Sequence, residues 1–174
     1  MEKLKEQVGS CIRCKKDVYC TDGFFNGIIL ENGNILCFEC KENDQLIEIL
    51  NRLLEAEKSG VVTLDYLLKA FPSAGLEASF QQVREDEAWS CSGLIHAIQR
   101  EGGVLGKQVG DFADKVKSLP TLREKLELLN KGQAWVARKI DDALSYGMDA
   151  KTKDFLLEMK RRHEQNIEHM NTHL

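Results

Sequence analysis

Four cysteines in this chain have the spacing of metal ligands. Cys11-Ile12-Arg13-Cys14 and Cys37-Phe38-Glu39-Cys40 are both C-x-x-C knuckles. Such a turn aims two thiolates at one point, and two of them close a tetrahedron around Zn²⁺. A closed set of four thiolates keeps no position open for water or substrate, so the chemistry it implies is structural. The opening segment, MEKLKEQVGS, lacks the apolar core of a signal peptide. The expectation is therefore a cytoplasmic chain with reduced thiols, which favours metal binding over a disulfide framework. Cys20 reads as a spare small residue, and Cys91 as a buried, inert thiol without a basic activator beside it.

A second set of polar residues is spread over four amphipathic segments. Glu57 lies four after Leu53 and seven before Leu64, and Glu87 lies four after Val83 and seven before Leu94. Gln133 is four after Leu129 and three before Val136, His163 is four after Met159, and Asn166 is four before Met170. At helical spacing, those intervals place each polar side chain on an apolar stripe. A carboxylate taken out of water without a partner is costly, so these groups are expected to meet one another or a metal. Two carboxylates and one imidazole can hold a single divalent ion. The other reading, and the favoured one, is a hydrogen-bonded polar cluster in which Arg84, Arg138 or Gln133 satisfies the carboxylates, because amides stand where charge would be needed. His169 and His173 are also four apart, but a terminal turn is expected to fray.

The elements that must position these residues follow from periodicity and turn chemistry. Around the knuckles, Val18–Cys20, Phe24–Leu30 and Ile35–Cys37 read as strands, with turns at Asp22-Gly23 and Glu31-Asn32-Gly33-Asn34. The predicted first module, residues 1–42, is a β-hairpin zinc ribbon too small to fold without its metal. Residues 43–174 are predicted to form a four-helix bundle. Its first helix runs from about Asp44 to Ala70, with Leu46, Leu50, Leu53, Leu54, Val61, Leu64 and Leu68 on the stripe and Gly60 within it. The second covers about Ala74 to Arg100 and stops at Gly102-Gly103. A short amphipathic segment lies around Phe112 and Val116. The third helix starts after Thr121, with Glu124 completing a capping box, and the fourth starts near Asp149. The longer link between the second and third helices permits a crossover connection.

On these residues the chain resembles the ferritin-like superfamily, and its module order resembles rubrerythrins that carry a Cys₄ domain. Segments such as LLEAEKSG, QVREDEAWS and LLNKGQAWVARK are similar to uncharacterised bacterial ferritin-like domains. The resemblance implies a di-iron site with one Glu from each of two helices and a Glu-x-x-His motif from each of the other two. Glu57 matches the lone Glu of the first helix. Glu87-Ala88-Trp89-Ser90 keeps the Glu but has Ser90 where His belongs. Gln133 stands in place of the third helix's Glu, and Asn166-Ile167-Glu168-His169 keeps a His without its carboxylate. A rubredoxin-like iron centre favours Gly after the first knuckle and Pro inside the second. Here those places hold Lys15 and Phe38-Glu39, so zinc is favoured over iron in the Cys₄ site.

Composition narrows the classes further. The 174 residues carry 24 Lys and Arg against 28 Asp and Glu, a net charge of −4, which argues against a dedicated nucleic-acid binder. No apolar run reaches the length of a bilayer span, so no membrane role is expected. The Lys160-Arg161-Arg162 run reads as a solvated helix face, and Trp89 and Trp135 as packing residues. The expected function is a noncatalytic metal-binding scaffold or interaction protein with a structural zinc and a degenerate di-iron site. A rubrerythrin-like redox or peroxide-handling enzyme is the alternative. A homodimer is expected through exposed apolar residues Tyr66, Leu67, Phe71, Phe24 and Phe25, with an unidentified protein partner as a further expectation.

Overall fold

The computed structural model describes residues 4–72 and 74–174. The chain divides into two units, Met1–Leu46 and Ile47–Leu174. Among the described residues, the first unit holds strands β1 (Lys5–Ser10), β2 (Asp17–Thr21), β3 (Phe24–Phe25), β4 (Gly27–Ile29) and β5 (Ile35–Cys37). These form two small antiparallel sheets, β1-β2-β3 and β4-β5. The turn between β2 and β3 has positive φ at both Asp22 (51°) and Gly23 (86°). That is the backbone of a two-residue hairpin, which Asp-Gly adopts readily.

Two features differ from the sequence expectation. Strand β1 is additional: its sequence, KEQVGS, has a single aliphatic residue and is largely exposed, so no alternation announces it. It pairs with β2 through a register shift between Gln7 and Gly9. The single run Phe24–Leu30 is also split at Asn26, whose N–H turns back to the Tyr19 carbonyl at 2.9 Å. Its halves consequently join different sheets. The unit's core is small, consisting of Cys11, Val18 and Leu36, with Phe25, Ile28 and Ile35 among the residues packed against it.

Among the described residues, five helices follow: α1 (Phe38–Ala70), α2 (Glu77–Arg100), α3 (Phe112–Ser118), α4 (Leu122–Leu144) and α5 (Ala150–Asn171). Helix α1 begins at Phe38 rather than near Asp44, so Cys40 lies on a helical turn, and it continues through Gly60. Among the described residues, no helix is long and apolar enough to cross a membrane. One cluster of buried side chains draws on every helix: Leu64 and Leu67 from α1, Phe80 and Val83 from α2, Val116 from α3, Leu129 from α4 and Met170 from α5. Leu67 is thus fully buried, which removes it from the exposed residues expected to support a dimer. The α1 stripe includes Leu67, leaving Leu68 partly buried at its margin.

Helix ends follow local chemistry closely. Thr121 accepts from the Glu124 N–H, and the Glu124 carboxylate accepts from the Thr121 N–H at 3.1 Å, completing a capping box. Asp149 caps α5 by accepting from the Lys151 N–H at 2.9 Å. Lys125, 3% exposed, was not singled out from the sequence. Its Nζ donates to the carbonyls of Val116 (2.9 Å), Lys117 (3.0 Å) and Leu119 (2.5 Å), satisfying acceptors at the end of α3. Replacing Thr121 with Ala should lower stability by about 1 kcal/mol, read as a lower urea midpoint for the helical circular-dichroism signal.

Candidate metal centres

The two knuckles meet. Cys11 and Cys14 flank the turn after β1, Cys37 ends β5, and Cys40 sits at the start of α1. Their four Sγ atoms all lie within 4.8 Å of one another, and Cys14 and Cys37 are 3.7 Å apart. Zinc–sulfur bonds of about 2.3 Å in a tetrahedron put neighbouring sulfurs about 3.8 Å apart, so the cluster fits a metal such as zinc. Lys15, at φ 62°, folds the first knuckle back on itself, with its N–H donating to the Cys11 carbonyl at 2.9 Å. Cys20 lies in β2 outside this cluster.

The electrostatics of the four thiols are unequal. Burial opposes ionisation of Cys11, but the N–H groups of Cys37, Cys14 and Arg13 outweigh it and bring its pKa down to about 6. Burial pushes Cys40 up to about 12, with the neighbouring cysteines adding to the rise. One thiolate is readily formed, and further negative charge beside it requires a cation. Arg13 helps to hold the site together by pairing with Asp44 and donating to the Cys40 carbonyl at 3.3 Å.

In the helical unit, ligand atoms of Glu57, Glu87 and His163 also converge within 4.8 Å of one another. They come from α1, α2 and α5, and all three are buried. His163 Nδ1 lies 2.9 Å from the Met159 carbonyl, which can only accept, so Nδ1 carries the proton. Nε2 points into the cluster, 3.1 Å from Glu57 Oε1. A carbonyl on the far nitrogen is also the usual way of orienting a metal-ligating histidine. Burial raises the Glu57 carboxyl to about 8, and burial together with the Glu57 charge raises Glu87 well above the usual carboxylate range. At neutral pH the Glu57 carboxyl therefore keeps its proton.

Small residues make room for this arrangement. A Cβ at position 60 would collide with the Glu87 carboxyl, which explains a glycine in the middle of the longest helix. Ser90, fully buried, lies beside the Glu57 carboxyl. Gln133 donates from Nε2 to Glu87 Oε1, while its own Oε1 is unpartnered. Glu57 Oε2 is likewise buried without a hydrogen bond. Two carboxyls, one imidazole and an orphaned carboxyl oxygen fit one divalent ion.

The remaining sequence candidates go elsewhere. Asn166 donates to Asp86 Oδ2 at 3.2 Å rather than to the glutamates. Asp86, buried and not singled out from the sequence, also accepts from Arg162 at 2.9 Å. The Lys160-Arg161-Arg162 run is therefore only partly a solvated face: Arg162 reaches a buried acid and lies over the Trp89 ring at 3.9 Å. Arg84 pairs with Asp65 and Arg138 is exposed, so neither satisfies the cluster. His169 and His173 both approach Ser79 Oγ, at 2.7 and 3.3 Å, instead of entering it. Cys91 is partly buried, and burial followed by the charges of Glu57 and Glu87 holds its thiol up at about 12, in keeping with an unreactive residue.

Two tests follow. Cys14→Ser should abolish metal binding at the N-terminal unit, whereas Cys20→Ser should leave one equivalent, measured by elemental analysis. The second concerns Glu57, whose raised folded pKa means that the folded protein keeps a proton the unfolded chain has released. Stability from this group is full below its ordinary 4.5 and is lost as pH rises through about 8. Metal-free protein should accordingly show a helical melting temperature that falls across this window, and Glu57→Gln should flatten the fall. An unchanged slope in the variant contradicts the assignment.

No curated protein and no solved structure matches the chain. A family model described as a domain of unknown function, DUF6306, matches residues 44–172. That span covers the five-residue polar set together with α2, α3, α4 and α5, and the chain belongs to the DUF6306 family.

Proposed function

We propose that this protein is a zinc-binding, ferritin-like scaffold whose helical bundle has a degenerate di-iron site and does not run oxidative catalysis. The observation that supports the reading is the composition of the buried cluster: Glu57, Glu87 and His163 converge, and what α4 offers Glu87 is the amide of Gln133. Two iron ions need several bridging and chelating carboxylates to neutralise them, and an amide supplies no charge. In the N-terminal unit, Cys11, Cys14, Cys37 and Cys40 would hold one zinc, which supplies folding energy when bound. In this reading the protein works in the cytoplasm as a homodimer that presents its surface to another protein. Exposed apolar side chains such as Phe24, Ile29 and Val104 support an interaction role.

The buried Glu57 Oε2 without a hydrogen bond and the convergence of Glu57, Glu87 and His163 favour a second form of the same reading, in which the cluster holds a single divalent ion. Anaerobic titration with Fe(II), followed by exposure to oxygen or peroxide, separates the alternatives. The expected result is at most one equivalent in the helical unit and no rapid oxidation. Two equivalents per chain with rapid oxidation would overturn the scaffold reading in favour of a rubrerythrin-like redox enzyme. Light scattering should give twice the 19.7 kDa chain mass, and a monomer at high micromolar concentration would remove the homodimer.

A further inference from the structure

The end of α5 carries two metal-ligating side chains that belong to neither candidate centre. His169 and His173 are exposed, yet the turn between them is tied down. Met170 is fully buried in the helical core, and Asn171 accepts from Asn130 of α4 at 2.9 Å. The N–H groups of Thr172 and His173 close the last turn on the carbonyls of His169 and Met170, at 3.2 and 3.0 Å. Both rings aim the same nitrogen at one point. Nε2 of His169 lies 2.7 Å, and Nε2 of His173 3.3 Å, from Ser79 Oγ in the first turn of α2. The ring centroids are 5.4 Å apart. Two imidazoles bound to one ion at about 2.1 Å and the tetrahedral angle have centroids about 5.2 Å apart, so these rings already stand at chelating separation. A hydroxyl has a single proton to give and needs only one imidazole acceptor. The second ring, turned on the same oxygen, adds a second nitrogen ligand at that place.

We propose that His169 and His173 chelate one divalent transition-metal ion of the zinc, nickel and copper class through their Nε2 atoms, beside Ser79 Oγ. Neutral imidazole suits these ions, whereas Mg²⁺ and Ca²⁺ take sets of oxygen ligands. Fe(II) stands low in the affinity order for such a site, so two imidazoles hold it weakly. Exposure of both rings leaves further coordination positions to water. Ser79 Oγ offers an oxygen from α2 on the same side, so the bound ion fastens the end of α5 to the start of α2.

Titration of the full chain, loaded with one equivalent of zinc, with Ni²⁺ tests the site. The wild type should take up Ni²⁺ there with Kd below about 100 μM. His169→Gln and His173→Gln should each weaken that equivalent by about tenfold or more, because a chelate needs both rings. Any ion held by Glu57, Glu87 and His163 is common to all three proteins, so the fate of the single-ion reading of that cluster registers separately. A second readout needs no variant. Ni²⁺ should shield His169 and His173 from acylation by diethyl pyrocarbonate, mapped by mass spectrometry, while the exposed His96 stays reactive. Identical Ni²⁺ binding by the wild type and both variants would overturn the proposal. Weakening in only one variant, or modification of His169 and His173 that Ni²⁺ leaves unchanged, would overturn it as well.

Discussion

The helical unit is organised around an electrostatic constraint: two carboxyl groups, Glu57 and Glu87, lie together in a core that excludes water. Two adjacent charges in that setting would face both desolvation and mutual repulsion. The structure avoids this by proton retention. Burial lifts both acids, His163 Nε2 lies 3.1 Å from Glu57 Oε1, and Gln133 donates to Glu87. The smallest neighbours follow from the same constraint, since Gly60 leaves space for the Glu87 carboxyl. A divalent cation could replace the retained protons, which makes metal affinity and protonation competing uses of one geometry.

The N-terminal unit presents the converse case. Its core is so small that Cys11, Cys37 and Cys40 form a large part of it, and Cys11 is fully buried. Its backbone N–H groups favour the Cys11 thiolate, while burial makes those of Cys37 and Cys40 harder to form. The β sheets are short and one is irregular, with two-residue β3 and three-residue β4 and β5 giving little hydrogen-bonded area. A metal held by the four thiols would supply folding energy that in a larger domain comes from apolar burial. That capacity sits in side chains spaced by two knuckles, which is why so little other sequence suffices.

Several features were readable because they depend on local spacing. The cysteine knuckles, the Thr121–Glu124 box and the apolar stripes all express a fixed geometric period, and Glu57, Glu87, Gln133 and His163 followed as interruptions of those stripes. The features outside that reach depend on pairing at a distance. Strand β1 is held by β2 and has no pattern of its own. Arg162 lies in a charged run that looks solvated until Asp86 is placed beside it from another helix. Arg84 was a plausible partner for the glutamates, but Asp65 on α1 takes it. Leu67 illustrates a smaller ambiguity: adjacent leucines at 67 and 68 leave the stripe uncertain by one position, and packing selects the first.

The neighbouring acids Asp86 and Glu87 show why one site is open to an added cation and the other is not. They are adjacent on α2, both are buried, and both accept from side chains of other helices. Asp86 has Arg162 at 2.9 Å and Asn166 at 3.2 Å, and Arg162 is itself held by Glu158 and the Trp89 ring. A fixed guanidinium balances that acid, so an incoming metal would gain little and would have to displace a charge-assisted pair. Glu87 accepts from the neutral amide of Gln133 and lies against the Glu57 carboxyl, with no guanidinium beside it among its interaction partners. A one-residue step along a helix turns the side chain by about 100°. Here that rotation separates a completed ion pair from a protonated cluster with remaining coordination capacity.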